Sequence, residues 1–361
     1  MRNKQTYLFL ALVAIAAILI RTIFGGVTNQ QVYGENKSTH NPRIDSLFSK
    51  TKTVCVGRFL IDVPEQALIV YGPSETPWPI STYLGKASEI DVFISDRLAE
   101  IADEKRFVSG ALRDKGSLVG RVLDGAAPGQ KIVIGVSKGS GRIYRMDSYT
   151  KVGEDLFVQR ATPIPSDKDE AIHDLNAIAV ALSSRADSEV PTVPGVCIER
   201  GFVAETASLS YEAVNLGVRM LEFPDVHFSL SMTKKDKLVE SDALEPRTRQ
   251  AEEIAKREGH AAWYSRIKML RRGYRQLNKW RGFEILSRKP AQATEEESHE
   301  FAFLSQGEPS NPYLPVLDLE FHSGVQGNQI GGTRPSVTDD EAVAIWDRLT
   351  SSIRMRPVDQ K

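Results

Sequence analysis

Apolar and polar positions alternate along much of the chain, with the period of two that is typical of strands burying one face. In the first half this pattern predicts strands at residues 53–63, 67–71, 90–94, 118–123, 131–136, 142–149 and 156–161. In the second half it predicts strands at residues 198–204, 227–232, 283–287, 300–304 and 316–322. The connections are mostly too short for parallel crossovers, so we predict mostly antiparallel sheets.

A helical period, with apolar residues three and four positions apart, replaces this alternation at residues 96–107, 167–184, 247–272 and 338–354. Residues 167–170 and 338–341 each place a glutamate three positions after an N-cap residue, which is the spacing of a capping box. Gly259 is a weak point inside the third of these helices. The predicted fold class is α+β, with helices covering mostly antiparallel sheets.

Two parts of the chain begin and end alike, which predicts two structurally related domains. Residues 54–59 read VCVGRF and residues 196–202 read VCIERGF, and two amphipathic runs starting DEA close the two parts. Between them, Pro191, Pro194 and Gly195 form a stiff, turn-prone joint. We predict an N-terminal domain at residues 53–189, a Pro-rich joint at 190–196 and a C-terminal domain at 197–358. Two unrelated domains with coincidental ends remain the alternative.

The first 26 residues have the pattern of an export segment. Arg2 and Lys4 precede an uninterrupted apolar run at residues 7–20, a length that suits a signal peptide. Extended through Val27, past Arg21, the run reaches the length of a membrane span, so a cleaved signal and an uncleaved anchor both stay open. In either case the rest of the chain leaves the cytoplasm. Residues 27–52 are polar, and we interpret them as a tether.

Composition sets limits without naming a function. The chain has 361 residues, enough for two domains with their own cores. Charged residues make up 26% and apolar residues 41%, a globular rather than a disordered mixture. The net charge of −1 gives no overall attraction to nucleic acid.

Cys55 and Cys197 are the only cysteines, one near the start of each predicted domain. In an exported protein such a pair predicts a disulfide, which would stabilise the fold by at most roughly 4–5 kcal/mol. Two buried free thiols, one in each domain, are the alternative. The sequence leaves both open.

Residues 135–139 (GVSKG) match the pattern of a nucleophile elbow around Ser137. A hairpin turn explains the same glycines, because residues 142–149 alternate like a strand. A triad would need a later histidine such as His299 or His322, and nothing in the sequence connects either one to Ser137. The histidines lack metal-binding spacing, and no glycine pattern predicts a nucleotide site. We therefore expect no enzyme, no metal and no cofactor, with a hydrolase at Ser137 as a minor alternative.

The strongest local anomaly is residues 256–281, where nine lysines and arginines surround two tryptophans and two tyrosines. This composition occurs on nucleic-acid surfaces, on interfacial membrane helices and at protein-binding hot spots. Outside the cytoplasm the nucleic-acid interpretation loses most of its weight. A solvated helix face with its tryptophans in the core is the plain alternative. The predicted partner-binding residues are Arg271, Arg272, Tyr274 and Trp280.

Three segments together resemble a known family. They are residues 55–64 (CVGRFLIDVP), 195–203 (GVCIERGFV) and 346–357 (WDRLTSSIRMRP). The chain resembles the two-domain immunity proteins of bacterial type VI secretion that neutralise class-four lipase effectors. The resemblance covers roughly residues 53–358, and the first segment is its most specific part.

The resemblance implies a periplasmic, non-enzymatic inhibitor that binds a cognate secreted lipase one to one. Its two domains would grip the toxin and hold the lipase lid shut. Periplasmic release and attachment to the inner membrane through an uncleaved segment are both consistent with it. It supplies no contact residues, since the family has no contact motif that maps onto this chain. The alternative function is a lipid- or envelope-binding module that uses the basic segment.

Overall fold

The structure is a computed structural model that describes residues 41–113 and 115–359. The predicted signal or anchor segment at residues 1–26, and the tether as far as residue 40, lie outside the described residues. The end of the predicted tether is folded, because Pro42–Leu47 form a helix. The side chain of Asn41 caps this helix by accepting from the backbone N–H groups of Arg43 and Ile44.

The described residues form α-helices and mainly antiparallel strands. The helices are α1 (Pro42–Leu47), α2 (Ile90–Glu104), α3 (Lys168–Ala181), α4 (Leu244–Arg257), α5 (Ala261–Tyr264) and α6 (Asp339–Ser352). The strands are β1 (Thr51–Val56), β2 (Phe59–Pro64), β3 (Leu68–Tyr71), β4 (Ser74–Glu75), β5 (Pro79–Tyr83), β6 (Val122–Asp124), β7 (Lys131–Val136), β8 (Tyr144–Val152), β9 (Asp155–Ala161), β10 (Leu182–Ser184), β11 (Gly195–Ile198), β12 (Gly201–Ala204), β13 (Ala213–Arg219), β14 (His227–Thr233), β15 (Lys268–Leu277), β16 (Trp280–Lys289), β17 (Ser298–Ser305), β18 (Val316–His322), β19 (Val325–Gln326), β20 (Gln329–Ile330) and β21 (Arg354–Met355). The predicted α+β class with mostly antiparallel sheets is confirmed.

Two predicted elements are wrong in type. Residues 90–94, predicted as a strand, form the first turns of α2, which buries Ile90 and Ile101. The single helix predicted over residues 247–272 ends at Arg257, because Gly259 adopts a φ of 84° in the left-handed region that stops helices. After α5, the chain becomes strand β15. The basic residues from position 268 onward therefore lie on a β-hairpin.

The chain forms two compact units and passes between them several times. Within the described residues, unit 1 contains 41–53, 61–70 and 216–354, and unit 2 contains 54–60, 71–215 and 355–359. This division differs from the predicted domains at 53–189 and 197–358. The long segment of unit 2 ends at residue 215, within β13, and the long segment of unit 1 begins there. This crossing does not lie at the Pro-rich joint.

The Pro-rich joint lies inside unit 2. Strand β10 before it and strands β11 and β12 after it form one sheet in the order β10-β12-β11. The guanidinium of Arg356 donates to the carbonyl oxygens of Val193 and Gly195, at 2.8 Å each, and to that of Pro191. These contacts hold residues 190–196 in place within unit 2.

Unit 1 is built on a sheet in the order β15-β16-β17-β18-β14-β13. Helix α6 covers one face of this sheet, and its fully buried Trp346 contacts Phe228 and Phe301 edge-on, at 6.0 Å between ring centroids in both cases. Thr338 and Glu341 form a capping box at the start of α6. The aromatic layer between α6 and the sheet is the core of this unit.

An ion cluster at one end of this core joins α6 to β15 and β16. The buried carboxylate of Glu284 accepts from Trp346 Nε1 at 2.7 Å, from Arg271 Nε at 2.5 Å and from Arg275 Nη1 at 2.6 Å. Asp347 on α6 binds the same two guanidinium groups. Two carboxylates thus balance two arginines where water is largely excluded.

Unit 2 contains antiparallel strands paired in the order β4-β5-β9-β8-β7-β6. Ile132, Ile134 and Met146 of this sheet pack with Leu175 of α3. On α2, buried Arg97 pairs with Glu104 at 2.8 Å and with Asp147 of β8 at 2.7 Å. Helices α2 and α3 thus share in the buried contacts of this sheet.

The two similar segments of the sequence meet in unit 2. Residues 53–63, predicted as one strand, form β1 and β2 with a turn at Gly57, whose φ is 58°. Gly57 and Cys197 exchange backbone hydrogen bonds of 2.9 and 2.8 Å, and a disulfide joins Cys55 to Cys197. Of the two states that the sequence left open for the cysteines, the structure has the disulfide.

Arg58, next to this bridge, is buried and fully committed to carboxylates. Its guanidinium binds Glu212 at 2.9 Å and Glu205 at 3.1 Å. A side chain at Gly57 would lie 2.9 Å from Val214, so that position needs glycine for space as well as for its φ. The most specific part of the family-like sequence therefore has a structural role.

Removing the disulfide should destabilise the protein. We expect the Cys55→Ala/Cys197→Ala double variant to lose about 4 kcal/mol of unfolding free energy, because the unfolded chain is no longer cross-linked over 142 residues. Urea unfolding at pH 7 measures this loss, and dithiothreitol should destabilise the wild type but not the double variant. A difference below about 1 kcal/mol would contradict the expectation.

Glu284→Ala should cost about 3–5 kcal/mol of unfolding free energy, because it leaves Arg271 and Arg275 with one carboxylate between them in a buried position. Glu284→Gln should be milder, since its amide oxygen still accepts from Trp346. The exposed Glu222→Ala is the matched control and should change stability by less than about 0.5 kcal/mol. Equal stability of Glu284→Ala and the control in urea would refute the role of the cluster.

Candidate interaction surface

The structure commits two of the four predicted partner-binding residues to the core of unit 1. Trp280 is only 2% exposed, and its Nε1 donates to the carbonyl oxygen of Pro315 at 2.9 Å. Arg271 is bound by Glu284 and Asp347. Both were chosen for their composition, but alternation along the hairpin turns them toward the covered face. Neither offers a free side chain to a partner.

Tyr274 and Arg272 lie on the opposite face of the hairpin. Tyr274 is 43% exposed, its hydroxyl donates to Glu245 at 2.7 Å, and its ring packs edge-on against Phe283. Arg272 is half-buried, 3.8 Å from Glu252, and burial lowers the pKa of its guanidinium. Of the two, only Tyr274 has a large accessible surface.

The neighbour of Tyr274 is not among the four predicted partner-binding residues. Arg281 of β16 is exposed, and its guanidinium lies 5.5 Å from the centre of the Tyr274 ring, within the range of a cation–π contact. The strand period would have found it, because Arg281 pairs across the hairpin with Gln276, two residues from Tyr274. We call Tyr274 and Arg281 the hairpin pair.

A row of directly opposed residues runs from this hairpin across the sheet. Tyr274 pairs with Phe283, Phe283 with Leu304, Leu304 with Asp318, and Asp318 with Ser231. Directly opposed residues point to the same face of a sheet. Tyr274 and Asp318 therefore share a face, about 14 Å apart over three strand spacings.

At the far end of this row, unit 1 contains a cavity of about 250 Å³. Strands and the segment that follows β14 supply its walls, which are lined by Ser231, Thr233, Lys235, Leu238, Val239, Asp242, Arg247, Leu304, Gln306, Val316 and Asp318. Gln306 anchors the covering segment by donating to the carbonyl oxygen of Val239 at 2.5 Å. The cavity combines charged, hydroxyl and aliphatic groups.

Asp318 is the most perturbed acid of this cavity. Burial raises the pKa of its carboxyl to about 6, and Glu320, two residues further on the same face, raises it as well. Arg247 and Lys235 act in the opposite direction. Within the described ranges, no group donates a hydrogen bond to Asp318 and no cation lies within 4.0 Å of it.

Ser137 lies in the loop between β7 and β8. Its backbone N–H donates to the carbonyl oxygen of Ile143 at 2.9 Å, and its own carbonyl oxygen accepts from Gly141. The element that follows is a strand and not a helix. Ser137 is therefore part of a hairpin loop and not of a nucleophile elbow.

A second serine takes part in an arrangement that resembles a triad. Ser323 Oγ lies 2.7 Å from His299 Nδ1, and His299 Nε2 lies 2.9 Å from Asp339 Oδ1. Ser323 has no exposed surface, and burial lowers the pKa of His299. The trio connects β17 to the first residue of α6, where a substrate does not reach the serine.

We also searched the described residues for metal-binding clusters and for membrane-spanning helices. No cluster of His, Cys, Asp or Glu that could hold a metal ion occurs within residues 41–113 and 115–359. Over the same ranges, no helix combines the length and the hydropathy needed to cross a membrane.

Comparison with known proteins gives a family match for the C-terminal part of the chain. Residues 189–358 match the family described as the Tle cognate immunity protein 4 C-terminal domain. No curated protein sequence matches the chain.

Solved structures share the fold. A chain of the crystal structure of the Tle4–Tli4 complex is 23% identical, with 86% of this chain and 99% of that chain covered, at a TM-score of 0.68. The immunity protein TplEi of the type VI secretion system (T6SS) from Pseudomonas aeruginosa, without ligand, is 22% identical, with 86% and 98% covered, at a TM-score of 0.65. The same protein complexed with a peptide gives a TM-score of 0.63.

The sequence match and the shared fold agree with the resemblance found in the sequence. Residues 189–358 are thus similar to the C-terminal domain of the Tle cognate immunity protein 4, and the described residues share the fold of the solved structures.

Proposed function

We propose that this protein binds and inhibits a lipase effector of the T6SS and so protects the cell that produces it. The observation that carries the proposal is the family match over residues 189–358. A similar fold in an immunity protein solved with the effector Tle4 supports it. Inhibition by binding needs no catalytic group in this chain, in keeping with a loop position for Ser137 and a buried Ser323.

Unit 1 contributes the surface that we propose for part of the contact. The hairpin pair places an exposed aromatic ring and a guanidinium together, and these residue types dominate binding energy at protein interfaces. The hydrogen bond from Tyr274 to Glu245 fixes the ring before a partner arrives. Such pre-organisation reduces the entropy lost on binding.

Following the resemblance, we extend the contact to both units and propose one-to-one binding. An inhibitor that binds only the closed state of a lipase lid removes the open, active state from the population. An interface with contributions from two units would bury at least the ~1,600 Å² of a standard protein complex.

We place this activity in the periplasm. Residues 1–26 have the pattern of an export segment, and a disulfide such as Cys55–Cys197 persists in oxidising compartments. Retention of residues 1–26 would hold the protein at the inner membrane, next to the phospholipids that a lipase attacks.

A second function, contact with anionic lipid, is favoured by one observation. Lys256, Arg257 and Arg266, around the end of α4, are exposed, and none has an ion pair within 4.0 Å among the described residues. Binding to vesicles that rises with their anionic lipid content, without any effect on a lipase, would favour this function.

Titration of a lipase should reveal inhibition. The protein from residue 27 onward, added to the purified lipase encoded beside its gene, should abolish phospholipid hydrolysis near one equivalent. The protein alone should release no fatty acid. Full lipase activity at a tenfold excess of the protein would count against the proposal.

Loss of the hairpin pair should weaken the complex. Tyr274→Ala and Arg281→Ala should each raise the Kd for the lipase at least tenfold, because each removes about 1.4 kcal/mol or more of contact. Tyr313→Ala, at a similarly exposed tyrosine of unit 1, is the matched control and should stay within twofold. Calorimetry measures the Kd of all three variants. Unchanged binding by both hairpin variants would mean that the lipase does not contact the hairpin pair.

A further inference from the structure

The cavity of unit 1 has an aliphatic part and a polar end. Leu238, Leu304 and Val316 supply the aliphatic part, and Asp318 lies beside the hydroxyl of Ser231 at the polar end. A volume of about 250 Å³ holds one long side chain and is below the ~300 Å³ at which small-molecule pockets begin. The cavity is therefore sized for a single inserted group.

Charges around the cavity favour a cation. Lys235 is offset by Asp242, 3.7 Å away. Arg247 faces two carboxylates, Asp318 and Glu320, and lowers the pKa of each. Two positive and three negative side chains give this set of five a formal charge of −1, and Glu320 also lies 3.5 Å from His322 Nε2.

The ionised form of Asp318 is destabilised in the free protein. Its carboxylate is desolvated, lies near Glu320 and has no direct partner among the residues that the structure describes. A cation placed against it would remove both penalties at once. Relief of the desolvation and of the repulsion by Glu320 would therefore favour binding of a cationic group.

We propose that this cavity is a socket for one basic side chain, arginine or lysine, of the lipase effector. The cationic head would bind Asp318, with Ser231 and Thr233 as further acceptors. The aliphatic stem would lie along Leu238, Leu304 and Val316, as long basic side chains do when only their head groups are polar. The inference rests on the proposed function and adds the class of residue that the effector must present.

The socket and the hairpin pair lie on the same face of the unit 1 sheet. They occupy the same cross-strand row, about 14 Å apart, on the face of the sheet opposite to α6. An effector segment that contacts Tyr274 can therefore reach Asp318 with a neighbouring side chain.

The test compares charge variants of the intact protein against the lipase encoded beside its gene. Asp318→Asn keeps the shape of the side chain and removes its charge, and it should raise the Kd at least tenfold at pH 7.5. Glu222→Gln removes an exposed acid of the same unit and should stay within twofold. The thermal midpoint of Asp318→Asn at pH 7.5 should not fall, because a half-buried charge without a direct partner has been removed.

Arg247→Gln separates a basic from an acidic occupant. A basic side chain should bind this variant at least as tightly as the wild type, since a nearby positive charge has been removed. Tenfold weaker binding would mean that Arg247 itself binds an acidic side chain, and it would overturn the socket.

The pH dependence gives a third readout. Protonation of Asp318 removes the charge that the cation binds, so wild-type affinity should fall as pH is lowered from 7 to 5, through the raised pKa of about 6. Glu320, His322, Asp242, Arg247 and Lys235 remain in both proteins, so the difference between wild type and Asp318→Asn isolates Asp318. This difference should disappear at pH 5.

Two results lead to different conclusions. Tight wild-type binding that Asp318→Asn retains within twofold overturns the socket and leaves the proposed function intact. A wild-type protein that binds no lipase overturns the proposed function, and the socket with it.

Discussion

One short antiparallel bridge, between Gly57 and Cys197, holds the early part of the chain against its middle. Two backbone hydrogen bonds form the bridge, and the disulfide from Cys55 locks it. Arg58 extends the attachment to Glu205 and Glu212. Because of this bridge, residues 54–60 belong to unit 2, although the segments on either side of them, up to residue 53 and from residue 61, belong to unit 1.

The bridge also explains why the sequence was informative in some places and misleading in others. The similarity of residues 54–59 and 196–202 was visible, and it suggested two domains that start alike. In the structure the two segments are partners in one unit. A pairing between distant residues leaves no periodic trace in a single sequence, so a boundary at 190–196 was the simplest inference and unit 2 could not be foreseen.

Local patterns were read correctly where packing agrees with propensity. The capping box of α6 and the alternation of β7, β9, β14 and β18 appear in the structure near their predicted positions. The helix predicted for residues 268–277 is wrong because basic residues suit an exposed helix as well as a strand. Only pairing with β16 decides between the two. The placement of Trp280 and Arg271 on the covered face could not be predicted for a related reason, since composition does not reveal which face of a hairpin a helix covers.

The two faces of the unit 1 sheet differ, and we propose that the face opposite to α6 takes part in recognition. One face is closed by α6, where the aromatic layer and the carboxylates of Glu284 and Asp347 stabilise the fold. The other face carries Tyr274, Arg281 and the cavity at Asp318, whose polar groups are only partly satisfied within the described residues. Under the proposed function, the partner would complete these groups.

Survival of cells in which the neighbouring lipase is directed to the periplasm tests the central claim most directly. The account predicts that cells making the full-length chain grow normally, whereas cells making an unrelated periplasmic protein lyse. A chain without residues 1–26 should fail to protect, because it stays where the lipase is absent. Equal lysis with and without the full-length chain, at matched protein levels, would contradict the account.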